Sequence, residues 1–500
     1  MTHFKYGPFK LSALVTTLSL AGLGLALPAL AFDSGSTGAD GAFNPTVNTE
    51  LQIPESGVFN FTTVDIPTGV TVTFKKNTVN TPVVMLASGN VTVAGTITVS
   101  GGRAADSGAA GDGNIGDDGV PGSGGPGGYQ GGRGGESGKK NGGQGLGPGG
   151  GAGGKFHSPY INGGGGAGFS SGGGNTGSYS EPSRPSGQGG PSYGSSQLLP
   201  LIGGSGGGGG GGGASFAGTG GGGGGGAILI ASSGTVSITG SLLAQGGNSG
   251  FSQGSGCGAR GGYGSGGAIR IVATTISGNG TIAANQPNTS YSAHDTDSSS
   301  CWVSGNYSYY GGTGAPGRVR LEAETITRTQ ASNPVHSFGP PSSVFVAGLP
   351  TLRITSVAGV AAPVNPTGNA DITLPSTTPN PVTVEFATTG VPVGNTVSLR
   401  VTPSYGDPTN VVSLAITGTT AAGATSVSAT LPSGPSVLSA STTYTIVTAM
   451  GEALSIYAQG ETVEKVRLTT TMNGHTLATL ITKSGKEFEV PHAALAMISG

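Results

Sequence analysis

The sequence predicts an all-β chain, in which a short N-terminal β-solenoid interrupted by long glycine-rich insertions precedes a β-sandwich. Three observations predict it. Short segments of alternating apolar residues recur in the same order, glycine supplies 102 of the 500 residues, and the last third alternates threonine with valine between regularly spaced turns. Period-two alternation over a few residues is typical of strands, and ordered recurrence is typical of stacked repeats.

The charge content excludes two classes of protein. Only 9% of the residues are charged, against about 25% in ordinary domains. The 21 basic residues face 23 acidic ones, which gives a net charge of −2. A chain so nearly neutral is not disordered by charge repulsion. It also lacks the basic excess that displaces counterions from nucleic acid, so we expect no nucleic-acid partner.

Residues 1–31 are typical of a secretory signal peptide. Lys5 and Lys10 precede a mostly apolar run over 11–27, and an Ala-Leu-Ala tripeptide ending at Ala31 offers a cleavage site. A membrane anchor is the alternative, because the run approaches the minimum length of a spanning helix, but Pro28 interrupts it. We therefore expect a secreted protein, extracellular or at the cell surface, with the periplasm as the alternative and no transmembrane segment after cleavage.

The chain contains two cysteines, Cys257 and Cys301. In secreted proteins an even number of cysteines is most often paired. Two thiols alone cannot complete a zinc site, and no histidine lies at finger-like spacing. We predict a disulfide between them.

The recurring pattern consists of two or three short strands joined by one- or two-residue corners. A Gly-Thr or Gly-Ser corner precedes the third strand where one is present. The copies span 84–102, 228–247, 269–285 and 319–326. We assign residues 32–100 to a cap and first coil of the solenoid, with the cap at 58–74, and residues 227–327 to the remaining coils. An antiparallel sandwich with long loops is the rival interpretation.

Glycine-rich insertions follow successive copies, over 101–226, 246–267 and 286–317. Since each follows the third strand or an equivalent turn, we expect all three to leave the solenoid at one corner. Ordering glycine costs more backbone entropy than ordering any other residue, and few apolar side chains offset that cost here. A flexible extended segment is the first expectation. Glycine at every third position from 113 to 134 favours the alternative, in which extended three-residue helices bond laterally into a bundle.

Prolines mark a linker over 328–350, and short alternating segments follow it. Their number and spacing predict an immunoglobulin- or fibronectin-III-like sandwich over 351–448. The candidate strands are 352–357, 370–374, 382–387, 396–401, 411–416, 425–431 and 443–448. Residues 449–500 are richer in charge, and two alternating segments there flank Asn473-Gly474, a strong hairpin signal. We predict a separate small β-appendage for this tail.

The candidate binding residues lie in the insertions. Asp112, Asp117 and Asp118 form an acidic cluster whose oxygens suit Ca²⁺, but it lacks the spacing of an EF-hand. A solvated acidic turn is the simpler interpretation, and we expect no cofactor, with Ca²⁺ as the alternative. Aromatic residues cluster around Cys301, where their rings could stack on sugars or cover an edge of the solenoid. These are Tyr291, Trp302, Tyr307, Tyr309 and Tyr310.

The strands offer no candidates for catalysis. Polysaccharide-cleaving enzymes need two or three carboxylates close together, whereas Arg270, Arg320 and Glu322 are typical of the outward-facing charges on these strands. We interpret them as a solvated face, on which Glu322 could pair with Arg320 or Arg318 and such an ion pair contributes at most about 1 kcal/mol. We therefore name no catalytic residue and expect that the protein is not an enzyme.

The secretion signal, the interrupted repeats and the terminal sandwich together resemble secreted bacterial β-solenoid surface proteins of the adhesin or filamentous-haemagglutinin type. The resemblance covers residues 32–327 and rests on coils such as VTVAGTITVSGG. The glycine triplets are similar in composition to the polyglycine bundles of some phage tip adhesins and antifreeze proteins. The resemblance implies a structural or adhesive protein whose partners are cell-surface or matrix components, or further copies of itself. A carbohydrate-binding module using the aromatic cluster is the second hypothesis, and a polysaccharide-active enzyme is the third.

Overall fold

The computed structural model describes Phe32–Leu495 apart from residues 55, 79, 108–118, 158–159, 177–186, 214–216, 252–258, 288–309, 345–348, 364–370, 472–475, 491 and 493. The predicted signal peptide lies outside the described residues. The fold is nearly all β, with 37% of residues in strands and 3% in helices, which confirms the predicted class. Within these described ranges, no helix is long and apolar enough to cross a membrane.

Two sheets of parallel strands precede residue 340. Their strands are β1 Gly41–Phe43, β2 Thr49–Gln52, β3 Val58–Ile66, β4 Thr71–Lys75, β5 Val83–Ala87, β6 Val91–Val93, β7 Thr96–Thr98, β10 Ala227–Ile238, β11 Ser241–Leu243, β12 Ala268–Ser277, β13 Thr281–Ala283, β14 Arg318–Ile326 and β15 Ser337–Gly339. Two further short strands, β8 Phe156–His157 and β9 Tyr160–Ile161, form a hairpin that belongs to neither sheet. The larger sheet has the order β1-β3-β5-β10-β12-β14-β15, with β6 beside β3 and β10, and the smaller has the order β13-β11-β7-β4-β2. Each pairing within these two sheets is parallel. The rival antiparallel interpretation is therefore wrong.

The copies recognised in the sequence stack on one another in register. Ile228 of β10 lies between Val83 of β5 and Ile269 of β12, and Ile269 lies beside Val319 of β14. All four side chains are buried, with at most 3% of their surface exposed. Period-two alternation fixes this register, because a slip of one residue would turn every apolar side chain outward.

Segment 58–74, which we expected to cap the stack, is instead a full layer of it. β3 pairs with β5 and β6, and β4 pairs with β7. A further layer made of β1 and β2 covers it, and Phe43 stacks on Phe61 with ring centroids 5.2 Å apart. The sequence did not indicate this layer, because the few residues of β1 and β2 show little apolar alternation.

Part of the predicted linker closes the other end of the stack. β15 pairs with β14, and the Arg328 guanidinium donates to the carbonyl oxygens of Gly278 and Gly280 at 3.0 and 2.6 Å. These two carbonyls belong to the corner between β12 and β13. Arg328 therefore satisfies backbone acceptors of this corner.

Arg270, Arg320 and Glu322 form one ion cluster. The expected pairing of Glu322 with Arg320 is confirmed, but the expectation of a solvated face is wrong, because Arg270 and Glu322 are buried. Arg270 Nη2 lies 2.9 Å from Glu322 Oε2, and Arg320 Nε lies 2.7 Å from Glu322 Oε1. Arg270 and Glu322 are 1% and 0% exposed. The chain after β15 crosses above them, where the Ser342 hydroxyl donates to Glu322 at 2.7 Å and the Ser343 carbonyl accepts from Arg270 at 2.9 Å. The cover comes from a later segment, which the strand pattern alone did not indicate.

Two antiparallel sheets follow. Their elements are β16 Thr351–Val357, β17 Val360–Ala361, β18 Val382–Thr389, β19 Val397–Pro403, β20 Thr409–Val412, β21 Thr417–Thr419, β22 Ala422–Ala429, β23 Ser436–Thr445, helix α1 Thr448–Leu454, a 3-10 turn Ser455–Tyr457, β24 Val463–Thr471, β25 Thr476–Thr482 and β26 Glu487–Val490. One sheet has the order β17-β16-β18-β22-β21 and the other β20-β19-β23-β24-β25-β26. Buried side chains of both sheets, such as Phe386 and Leu399, belong to one core.

The tail differs from the predicted separate appendage. β24 pairs with β23 along seven residue positions, from Thr445–Lys465 to Ser439–Thr471, so β24, β25 and β26 extend the preceding sheet. The predicted hairpin pairing of β24 with β25 is confirmed, while Asn473-Gly474 lies outside the described residues. Of the candidate strand 370–374, the described residues 371–374 are not in a strand.

Two histidines predict how stability depends on pH. Burial lowers the pKa of His492, and the hydrogen bond from its Nε2 to the Pro350 carbonyl opposes this only in part. Burial and then the Arg328 charge lower the pKa of His336. Below the ordinary histidine pKa of about 6.5, the unfolded chain therefore binds more protons than the folded one.

We expect the free energy of unfolding to fall, on the order of 1 kcal/mol, between pH 7.5 and 5.5. Urea unfolding at both values measures this change. The variant His336→Asn/His492→Asn is the control, and its stability should vary less over the same interval. An equal change in both proteins would contradict the assignment to these histidines.

Candidate functional site

The described residues of the glycine-rich insertions form one hydrogen-bonded unit, which we call the glycine bundle; it comprises the described residues of 101–226, 246–267 and 311–317. The expectation of a flexible segment is therefore wrong for these residues. The last glycine of each insertion donates to a carbonyl just after the third strand of the layer it left: Gly226 to Val99, Gly267 to Ala244 and Gly317 to Ala284, all at 2.7 Å. These are equivalent positions, which confirms that the insertions leave the stack at one corner.

Residues 203–213 run through the centre of the glycine bundle. Every third amide of this segment donates toward the same neighbouring segment. Gly206, Gly209 and Gly212 donate to Leu146, Gly143 and Lys140 at 2.8 to 3.0 Å. The amides at 204, 207 and 210 donate to 219–225, and those at 208 and 211 donate to 162–165. The carbonyls at 204 and 206–211 accept from three further segments, 129–135, 151–154 and 259–262. Three residues per turn is the repeat of polyproline II, so one central segment can bond to six neighbours.

The six neighbours also bond to one another and close a ring. The order around residues 203–213 is 129–135, 140–146, 151–154, 162–165, 259–262, 219–225 and back to 129–135. Representative bonds are Gly143 to Arg133, Gly142 to Gly154, Gly165 to Ala152, Gly164 to Arg260, Thr219 to Ala259 and Gly221 to Gly132, at 2.7 to 3.0 Å. Because 259–262 comes from the second insertion and the rest come from the first, both insertions are needed to close the ring.

Close approach of backbones explains why the centre must be glycine. A Cβ on Gly209 would overlap the carbonyl oxygen of Arg133, and a Cβ on Gly210 would overlap that of Ala259. These are backbone atoms, which cannot move aside as the end of a side chain can. Exposed Gly172 is different, since its Cβ would have only the Gly190 oxygen nearby, at 3.6 Å.

Many chain segments end at the distal end of the glycine bundle, which is the end farthest from the parallel sheets. At about 3.1 Å per residue, 203–213 span roughly 30 Å, and Gly211 at the distal end bonds to Asn162 and Ala259. Toward this end also lie the described residues that come directly before and after five other ranges of the chain, 108–118, 158–159, 177–186, 214–216 and 252–258. Bonded segments of the first two insertions therefore end in one place.

The base of the glycine bundle packs against the antiparallel sheets. Phe169, Tyr193 and Ile202 belong to the same buried core as the side chains of those sheets. The Tyr193 hydroxyl donates to the Gly203 carbonyl at 2.6 Å and accepts from Ser205 at 2.9 Å. Burial raises the pKa of Tyr193 well above its ordinary value, so the hydroxyl stays neutral and keeps its donor. The start of the central segment is thereby fixed.

Most of the site residues predicted from the sequence lie outside the described residues: Cys257, Cys301, Asp112, Asp117, Asp118, Tyr291, Trp302, Tyr307 and Tyr309. The disulfide and the Ca²⁺ alternative stay predictions. Tyr310 is described and half-buried, and it lies toward the distal end because Gly312, two residues later, donates to Gly164. Among the described residues, no three His, Cys, Asp or Glu side chains gather as metal ligands would.

Sequence reasoning missed a group of lysines at the distal end. Lys139 lies in a tight turn with φ of 70°, after Gly138 with φ of 82°, and its amide donates to Gly213 at 2.9 Å. Lys139 Nζ lies 5.2 Å from the centre of the Phe156 ring, and the Phe156 amide donates to Asn141 at 3.0 Å. The only sequence signal was charge within a glycine-rich stretch.

No family model matches the chain, and neither a curated protein nor a solved structure matches it.

Proposed function

We propose that the chain is a secreted, non-catalytic structural or adhesive protein of the bacterial cell surface or extracellular matrix. In this proposal the parallel sheets form a β-solenoid and the antiparallel sheets form an immunoglobulin- or fibronectin-III-like sandwich. Parallel pairing in register with an apolar interior supports the first assignment. Two antiparallel sheets that share one core support the second.

The closed ring of six segments around residues 203–213 is the observation that carries the proposal. Backbone hydrogen bonds hold each segment on several sides, so the glycine bundle is a stiff projection rather than a tether. Several of the described segments end toward its distal end, and loops held on a rigid scaffold are where proteins commonly place their binding residues. The strand carboxylate Glu322 is engaged by two arginines, which supports a role in structure rather than in catalysis.

Carbohydrate binding through the aromatic cluster is the second candidate function. The position of Tyr310 toward the distal end favours it. Along the chain, Tyr310 directly follows the stretch that contains Tyr291, Trp302, Tyr307 and Tyr309. Aromatic rings supply flat apolar faces with a polar edge. A Cys257–Cys301 disulfide would tie this stretch to the second insertion.

Self-association tests the proposed function. We expect the purified protein to form fibres or sheets as its concentration rises, measured by light scattering and negative-stain microscopy with and without calcium. A protein that stays monomeric and is not retained by cell envelopes would contradict the proposal. Tight binding to a glycan panel, lost in Trp302→Ala/Tyr309→Ala, would favour the second candidate.

A further inference from the structure

Charge is unevenly distributed over the glycine bundle. Its described basic residues are Arg103, Arg133, Lys139, Lys140, Lys155 and Arg260, and its described acidic residues are Asp106 and Glu136. Over their full length the three insertions carry seven basic and eight acidic residues, so the basic excess belongs to the described segments and not to the insertions as a whole. The glycine segments have almost no side chains, so these groups dominate the chemistry of the surface on which they lie.

Three of the basic residues form what we call the lysine patch: Lys139, Lys140 and Lys155. All three are exposed. In the part of the chain that the structure describes, none of them makes an ion pair with a carboxylate. The patch therefore presents three exposed ammonium groups to solvent.

Backbone hydrogen bonds hold the lysine patch in place. The Lys139 amide donates to Gly213, and the Lys140 carbonyl accepts from Gly212 at 2.8 Å. The Lys155 carbonyl accepts from Asn162 at 3.0 Å. Because the backbone is fixed before any ligand arrives, binding does not incur the further cost of ordering it.

We propose that the lysine patch binds an acidic polysaccharide, a saccharide chain with repeated carboxylate, sulfate or phosphate groups. Separate ammonium groups on a stiff scaffold are complementary to separate charges along such a chain. Nucleic acid fits less well, because single strands need free aromatic faces and Lys139 lies over the Phe156 ring. The inference deepens the proposed adhesive function and rests on it.

Dextran sulfate and neutral dextran of equal length test the proposal with one saccharide backbone and two charge states. We expect the full-length protein to bind dextran sulfate and not dextran, with affinity that falls as salt rises. Lys139→Gln/Lys140→Gln/Lys155→Gln should weaken this binding at least tenfold and make it less dependent on salt.

The matched control removes three lysines outside the glycine bundle, Lys75→Gln/Lys465→Gln/Lys483→Gln, and should bind like the unaltered protein. Equal binding by the two triple variants would overturn the inference, as would no binding of dextran sulfate by the unaltered protein. Tighter binding to DNA than to dextran sulfate would also overturn it. If dextran sulfate fails while cell envelopes still retain the protein, adhesion stands and the lysine patch is not its site.

Discussion

Gly209→Ala is expected to lower the free energy of unfolding by about 3 kcal/mol or more, at the upper end of the range for overpacked interiors. The new methyl group would overlap the Arg133 carbonyl oxygen. The same residue donates to Gly143 and accepts from Gly154, both at 2.8 Å. Any shift that relieves the overlap therefore strains these bonds and the ring around them. Urea unfolding measures the loss, and amide hydrogen exchange should show faster exchange in 203–213 than in the parallel sheets.

Gly172→Ala is the matched control, because it adds the same methyl group to the same kind of segment where there is room. Its nearest atom would be the Gly190 oxygen at 3.6 Å, an ordinary contact. We expect a change within about 0.5 kcal/mol, as for most surface substitutions. If both variants proved equally stable, close packing would not be the reason for glycine at the centre.

The sequence predicted those parts of the fold that depend on neighbouring repeats. Ile228, Ile269 and Val319 fall at equivalent positions of the copies and lie side by side in the structure. Local alternation decides such pairing, because one face of each strand must be buried. The same local pattern predicted that the three insertions leave the stack at one corner, since each one follows an equivalent position of its copy.

The state of the insertions could not be predicted from one segment at a time. An isolated glycine chain pays a large entropy cost and has no partner, so flexibility was the reasonable expectation. The hydrogen-bond partners of Gly209 are Gly143 and Gly154. Those of Gly208 are Gly165 of the same insertion and Gly262 of the second insertion. Glycine at every third position indicated the repeat, but which segments meet is a property of all of them together.

Glu322→Gln is expected to cost about 3 to 5 kcal/mol, the usual loss when one partner of a buried ion pair is removed. Burial would raise the pKa of Glu322, but hydrogen bonds from Arg270, Ser342 and Arg320 outweigh it and hold the pKa below its usual range. The carboxylate is thus charged when folded, and its contribution is lost only as pH falls through that lowered pKa. A neutral amide would leave the buried Arg270 charge without its counterion. Urea unfolding at pH 7 measures the loss.

The pair Arg467–Glu487 supplies the matched control, because it is also a close pair between two strands. Its N–O distances are 2.9 and 2.8 Å, but its side chains are 35% and 49% exposed. Solvent screens such pairs, so Glu487→Gln should cost at most about 1 kcal/mol. Arg270→Leu/Glu322→Leu should be more stable than Glu322→Gln, since removing both charges leaves neither one buried alone. A loss for Glu322→Gln no larger than for Glu487→Gln would mean that the segment after β15 does not exclude water from the cluster.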